Sequence, residues 1–466
     1  MSDNTSYWCE KTWLGEDWAS DVRIEVSSDG FITAVSANET HDNAEYIAGV
    51  VLPGMPNLHS HAFQRAAAGL TEQRVSGQGN DDSFWTWREI MHSFCARLTP
   101  EDNMAIAAQL YVEMLKAGYT AVGEFHYLHR DPEGRAYGDP CEMGNGIIKA
   151  AERVGIGLTL LPVLYSVGGY GVAVPNKGQR RYILEVDEFL NLVRRHYKAH
   201  IGNSQVCIGI APHSVRQVPA QPLTEALNEF RDLSQNGPVH IHAAEQERDV
   251  EEHMKYSGDR PISWLLNNME IDCRWCLVHA THMNKDETTG LAKSGAVVGL
   301  CPSTEANLGD GFFPFSEYLS SEGKWGIGSD SHVSINPWEE LRWLEYGQRL
   351  KAQSRNIAAV GTGGSTGLKL FSDALIGGAQ ALGRPIGKIA VGKRADFIVL
   401  DSDYPQLYSR NGERFFDSLI FSNNSSPIRH VMCGGRWVVR DSIHPEEKRI
   451  FADFRDVILR LMTEPL

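Results

Sequence analysis

The chain has 466 residues, 42% of them hydrophobic and 22% charged, with a formal net charge of −15. That length holds a sizeable core and roughly two to four ordinary domains, or one barrel with an accessory domain. The negative field disfavours non-specific nucleic-acid and anionic-membrane binding, because it repels polyanions, yet a small acidic substrate can still be held by local arginines.

The N-terminal stretch MSDNTSYWCEKTWLGEDW lacks the basic start and apolar core of a signal peptide. No apolar run approaches the ~18 residues of a membrane span, so the expected address is the cytoplasm. Next, DVRIEVSSDGFITAVSA (21–37) predicts two alternating strands around a Ser-Asp-Gly turn. Eight apolar strand-like runs follow: VVLPGMPNLHSH, YTAVGEFHYL, IGLTLLPVLY, VCIGIAPHS, PVHIHAAE, CLVHATHM, GAVVGLCPS and KWGIGSDSHVS. Most are apolar at consecutive positions, as strands covered on both faces are. Helical stretches such as 103–117, 185–200 and 224–234 separate several of them. Eight β–α units predict a (β/α)8 TIM-type barrel over 53–384, with SGQGNDDS (76–83) as a mobile loop at its mouth.

Late in the chain, RADFIVLDSD (394–403) and IRHVMCGGRWVVRDS (428–442) predict further strands, the second a hairpin around Gly434-Gly435. Residues 1–52 and 385–450 together predict a small β-sandwich domain built from both termini, and 451–466 a closing helix. The eight cysteines are too sparse for a disulfide framework, and the lone CxxC of Cys273 and Cys276 reads as core packing.

In such a barrel the reacting groups gather at the C-terminal ends of strands. The first run ends in His59 and His61, the fourth in His213 and the fifth in His240, His242 and Glu245. The sixth reaches His279 and the eighth Asp330. Residues two apart on a strand share a face, so His59 and His61 can grip one ion. On the fifth strand His242, nearer the end, is the expected ligand and His240 a neighbour or core residue. Three imidazoles and the Asp330 carboxylate suit one Zn²⁺ or Fe²⁺ with a position left for water. The fourth run has no lysine to bridge two ions, which favours a single metal. Glu245, three residues past His242, is placed to move protons.

HSH after the first strand, HxHxxE on the fifth, a further His on the sixth and SDS on the eighth resemble the amidohydrolase superfamily over nearly the whole chain. GKIAVGKRADFIVLD is similar to the segment where that family returns to its small β domain. HIHAAE without the bridging lysine resembles the branch that hydrolyses C–N bonds of amidines and aminated rings. HSHAFQRA, DSFWTWRE, GEFHYLH, APHSVR and HIHAAEQ together resemble the formimidoylglutamate deiminases of histidine degradation. That resemblance implies a small dicarboxylate substrate, N-formimino-L-glutamate, and a homodimer. It also implies that His279 orients the attacking water and that Gln64, Arg88, Tyr127, His213 and Arg216 form the substrate shell. Two alternatives stand beside it. One is a deaminase of the same branch acting on a heterocycle such as guanine, cytosine or an aminotriazine, whose pocket would favour aromatic stacking over an arginine pair. The other is a non-catalytic scaffold, against which the intact ligand set and Glu245 argue.

Overall fold

The computed structural model describes residues 4–72, 84–172, 174–359, 361, 363–423 and 425–463; the expected loop 76–83 lies outside them. The chain opens with four strands, β1 (Thr5–Trp13), β2 (Trp18–Val26), β3 (Ile32–Ser36) and β4 (Glu45–Pro53). In β1, Tyr7 and Cys9 turn inward while Trp8 and Glu10 stay outside the core, the alternation of a half-buried strand, which is interrupted where the register shifts between Cys9 and Lys11.

Eight parallel strand positions form the barrel: β5 (Met55–Ser60), β6 (Tyr119–His126), β7 (Gly157–Leu164), β8 (Val206–Ile208) continued by β9 (Ala211–Pro212), β10 (Val239–Ala243), β11 (Trp275–His279), β12 (Val297–Leu300) and β13 (Lys324–Ile327). Two parallel bridges close the ring, Ile210 to Val239 and Ser60 to Asp330. At the second seam the Asp330 amide donates to His59 O at 3.1 Å and the His61 amide to Asp330 O at 3.3 Å. The expected (β/α)8 architecture is therefore present. Within the ring Leu58, Ala121, Val278 and Val297 pack with Ala381 and Leu382 from the end of the helix Thr366–Ala381. Thr159 Oγ1 and His240 Nε2 bond the carbonyls of Leu382 and Ala381, at 2.8 and 2.7 Å. Side chains thus fill the N-terminal half of the barrel, and an open bowl is possible only at the other rim. His240 belongs to this core.

Residues from both ends of the chain complete the small domain. β14 (Phe397–Leu400), β15 (Ile428–Cys433) and β16 (Arg436–Val439) join the first four strands in one seven-stranded sheet, ordered β16-β15-β14-β4-β1-β2-β3. β14 runs antiparallel to β4, with Phe397 opposite Pro53. One face encloses Tyr7, Ile24, Ile47, Phe397 and Met432; the other presents Leu52, Ile398 and Val431 to the barrel core. The Gly434-Gly435 hairpin forms as expected, and both glycines have positive φ. The helix Glu447–Thr463 then lies against Pro100–Ala117, tied by Lys116 to Glu447 at 2.8 Å. No helix among the described residues is long and apolar enough to cross a membrane.

The helix Thr366–Ala381 approaches β13 so closely that a Cβ on Gly377 would overlap the Trp325 carbonyl. Gly377→Ala is therefore expected to destabilise the fold by about 1–3 kcal/mol or more, through overpacking. A urea midpoint equal to that of the parent would refute this close approach.

Candidate active site

The C-terminal rim of the barrel holds the polar residues that its core excludes. His59 and His61 leave the end of β5 with their Nε2 atoms 3.2 Å apart, and His242 Nε2 from β10 lies 3.1 Å from that of His59. Asp330 Oδ1 stands 3.5 Å from His59 Nε2 and 3.4 Å from His61 Nε2. The opposite ring nitrogens explain the orientation. His61 Nδ1 donates to Phe125 O at 2.8 Å and His242 Nδ1 to His213 O at 3.2 Å, so the Nε2 lone pairs of both rings point toward His59 Nε2. Burial holds all three histidines below the ordinary imidazole pKa, His59 at about 3. Burial alone would raise Asp330, but its bond to His59 and the surrounding imidazoles hold it well below the usual carboxylate range.

Converging lone pairs repel unless a cation lies among them. A tetrahedral ion with Zn–N bonds of ~2.0–2.1 Å spaces its donors by about 3.3 Å. The separations of 3.2 and 3.1 Å from His59 to His61 and His242, and of 3.5 and 3.4 Å from Asp330 to His59 and His61, bracket that value; the three histidines form one group able to hold a divalent metal, with Asp330 beside it.

A frame behind the four residues fixes them. Ser60 Oγ donates to Glu124 Oε2 at 2.6 Å, and Glu124 Oε1 accepts from the Ala62 amide at 2.7 Å. His332 bridges Ser60 and Ser329, at 3.2 and 3.0 Å, and Asn57 donates to Ser329 at 2.6 Å. Three of the rim residues, His279, Asp330 and His332, adopt positive φ. Such strain survives only where surrounding contacts over-determine the backbone.

Glu245 and His279 face each other, Oε1 to Nε2, at 3.6 Å. His279 Nδ1 meets Glu305 Oε1 at 3.2 Å, and Nε2 meets Asp330 Oδ2 at 3.7 Å. Burial, with Asp249 and Asp330 close by, lifts Glu245 to about 7 against the opposing pull of His279. Burial would lower His279, but Glu245, Glu305 and Asp330 outweigh it and raise the ring to about 10.

These groups open into a cavity at the barrel mouth. Gln64, Arg88, Tyr127, His213 and Arg216 all line it, together with His61, His242, Glu245, His279 and Asp330. His59 lies beneath the surface, fully buried. Gln64 Nε2 donates to Tyr127 Oη at 3.1 Å, and Arg88 to Tyr165 Oη at 2.9 Å. Arg88 thus bonds an aromatic hydroxyl of the cavity. Arg216 is buried and paired with Asp249. Trp87 also lines the cavity, from the helix Phe84–Cys95. Tyr165, His92 and Tyr182 do so too and were not anticipated. Tyr165 ends the third apolar run, where the strand-end rule would have found it; Tyr182 and His92 carry no such signal.

The model of the amidohydrolase family matches residues 50–438. The chain belongs to that family. This amidohydrolase is 50% identical over 458 residues to formimidoylglutamate deiminase of Pseudomonas aeruginosa, covering 98% of this chain and 100% of that protein. It matches the crystal structure of an amidohydrolase from Brucella melitensis with a TM-score of 0.92 and 42% identity, over 98% and 100% of the two chains. An adenosine deaminase from Xanthomonas campestris with bound zinc shares the fold at a TM-score of 0.80 and 20% identity, over 99% of each chain. The amidohydrolase is accordingly a hydrolase of C–N bonds.

Proposed function

We propose that this enzyme hydrolyses N-formimino-L-glutamate to N-formyl-L-glutamate and ammonia. Its 50% identity with the Pseudomonas aeruginosa formimidoylglutamate deiminase, along nearly the whole chain, carries that conclusion. The cavity supports it, with two arginines set beside a carboxylate-rich reaction centre. In the reaction, water adds to the carbon between two nitrogens and the terminal nitrogen leaves as ammonia.

His59, His61, His242 and Asp330 hold one divalent metal, Zn²⁺ before Fe²⁺ because three imidazoles and one carboxylate form a borderline donor set. When bound, that ion supplies the Lewis acidity that makes water nucleophilic near neutral pH. Glu245, balanced near neutrality, takes the proton of water and passes it to the departing nitrogen. His279, its far nitrogen on Glu305, orients the attacking water. Gln64, Tyr127 and His213 line the approach, while Arg88 and Arg216 take the two substrate carboxylates. The step belongs to histidine degradation, and we place the enzyme in the cytoplasm as a homodimer. Ammonia release from N-formimino-L-glutamate, beside guanine, cytosine and an aminotriazine, tests the substrate. Turnover of a ring with silence on the acyclic amidine would reverse the assignment.

Arg216→Met is expected to raise KM by about 10–100-fold, the worth of a charge-assisted hydrogen bond, with metal content unchanged. Because it also strands the buried Asp249 carboxylate, at a cost of about 3–5 kcal/mol, the pair Arg216→Met and Asp249→Asn separates binding from folding. An unaltered KM in both variants would remove Arg216 from the substrate shell.

A further inference from the structure

A second group of ligand atoms stands beside the first. Glu245, His279 and Asp310 each offer one donor atom, and these lie within 4.8 Å of one another. Their origins differ. Glu245 follows β10, His279 ends β11, and Asp310 lies just past the helix Pro302–Leu308. Asp310 is held there by its amide, which donates to Glu305 O at 2.9 Å, and by His282 Nε2, which bonds its carbonyl at 2.7 Å.

The donor chemistry favours a cation. Glu305 accepts at His279 Nδ1, which leaves Nε2 as the ring atom facing Glu245 and Asp330, and a cation bound there takes the place of the Nε2 proton. Asp310 is 4% exposed, and its Oδ1 accepts from Gln246 Nε2. Its Oδ2 is buried and has no hydrogen-bond partner among the described residues. A buried carboxylate oxygen without a donor is costly, and native structures rarely leave one. An imidazole nitrogen and two carboxylate oxygens form a donor set for borderline ions such as Zn²⁺ rather than for Mg²⁺ or Ca²⁺, which prefer oxygen alone.

We propose that Glu245, His279 and Asp310 form a second, weaker Zn²⁺ site, and that filling it stops turnover by occupying the Glu245 carboxylate. The proposal rests on the assignment of Glu245 as the proton-transfer group. The site is weaker than the first for two reasons. It has three protein donors instead of four, and Asp330, with Oδ1 toward His59 and Oδ2 toward His279, lies between the two sites and sets two dications side by side.

Equilibrium dialysis of the full chain against Zn²⁺ needs no substrate, so its result is independent of which amidine the enzyme acts on. Two classes of site are expected, with ammonia release highest at one equivalent and at least about tenfold lower once the second class fills. Asp310→Asn keeps an acceptor for Gln246 while losing the charge, and should retain the first class and its activity. It should weaken the second class by at least the about 10–100-fold seen when outer partners of a metal site are lost, and relieve the inhibition. Asp310→Ala provides the same comparison should the asparagine variant fold poorly. A single class of Zn²⁺ site in the parent protein, or a second class and inhibition unchanged in the Asp310 variants, would overturn the proposal.

Discussion

Glu245→Gln is expected to keep its metal and lose about 10²–10⁴-fold in turnover, the range that a positioned acid–base group contributes. The glutamine has the same shape and can still face His279, which stands 3.6 Å away, so the cavity and the imidazole–aspartate cluster should be undisturbed. What disappears is a carboxyl group that can take up and release a proton near neutral pH, because burial has lifted it to about 7. The same shift has a consequence for stability. A carboxyl whose folded pKa lies above its unfolded value of 4.5 favours folding in its protonated form. Its contribution therefore falls as pH rises through the window between those values. The metal-free variant should melt above the metal-free parent, by a margin that grows from about pH 5 to pH 7. Metal analysis, single-turnover ammonia release and melting curves at several pH values measure all three effects. Full activity in the variant would remove Glu245 from proton transfer.

The second large effect is expected from removing the ion. Chelation should lower turnover by about 10³-fold or more, since Lewis acidity supplies several kcal/mol of transition-state stabilisation. It should also lower the melting temperature, because a ligand that binds only the folded state stabilises it by mass action. Here the loss is compounded within the protein. Without a cation, the Nε2 atoms of His59, His61 and His242 confront one another at 3.1 and 3.2 Å in a buried setting. One equivalent of Zn²⁺ or Fe²⁺ should restore activity, and comparison of the two identifies the better-fitting ion. A chelated protein working at the undiminished rate would refute the metal centre.

Much of this site could be read from residue order. A strand ending HSH, another ending HIHAAE and a third ending SDS place their polar residues on one rim as soon as the barrel is assumed. Strand limits were less legible. The run VVLPGMPNLHSH reads as one strand, but the chain changes domain within it, between β4 and β5 at Gly54, where a side chain would overlap Thr120. β1 escaped notice because Glu10 and Lys11 interrupt its apolar face and make TSYWCEKTW look like a polar terminus. Glu124 was hidden for the opposite reason. It sits in the continuously apolar β6 and serves the rim from behind, through Ser60 and the Ala62 amide, a role that only three-dimensional proximity shows. Glu305 and Asp310 lie beyond the seventh strand in a segment without periodic pattern, so neither could be singled out.

The antiparallel pairing of β4 with β14 bears on how the polypeptide is made. As the chain leaves the ribosome, β4 appears early, and one of its edges stays bare until residue 397 has emerged. The whole barrel must be synthesised in that interval. An unpaired strand carrying Val50, Val51 and Leu52 is a template for unwanted pairing with other nascent chains, so expression yield should depend on translation speed and chaperone supply.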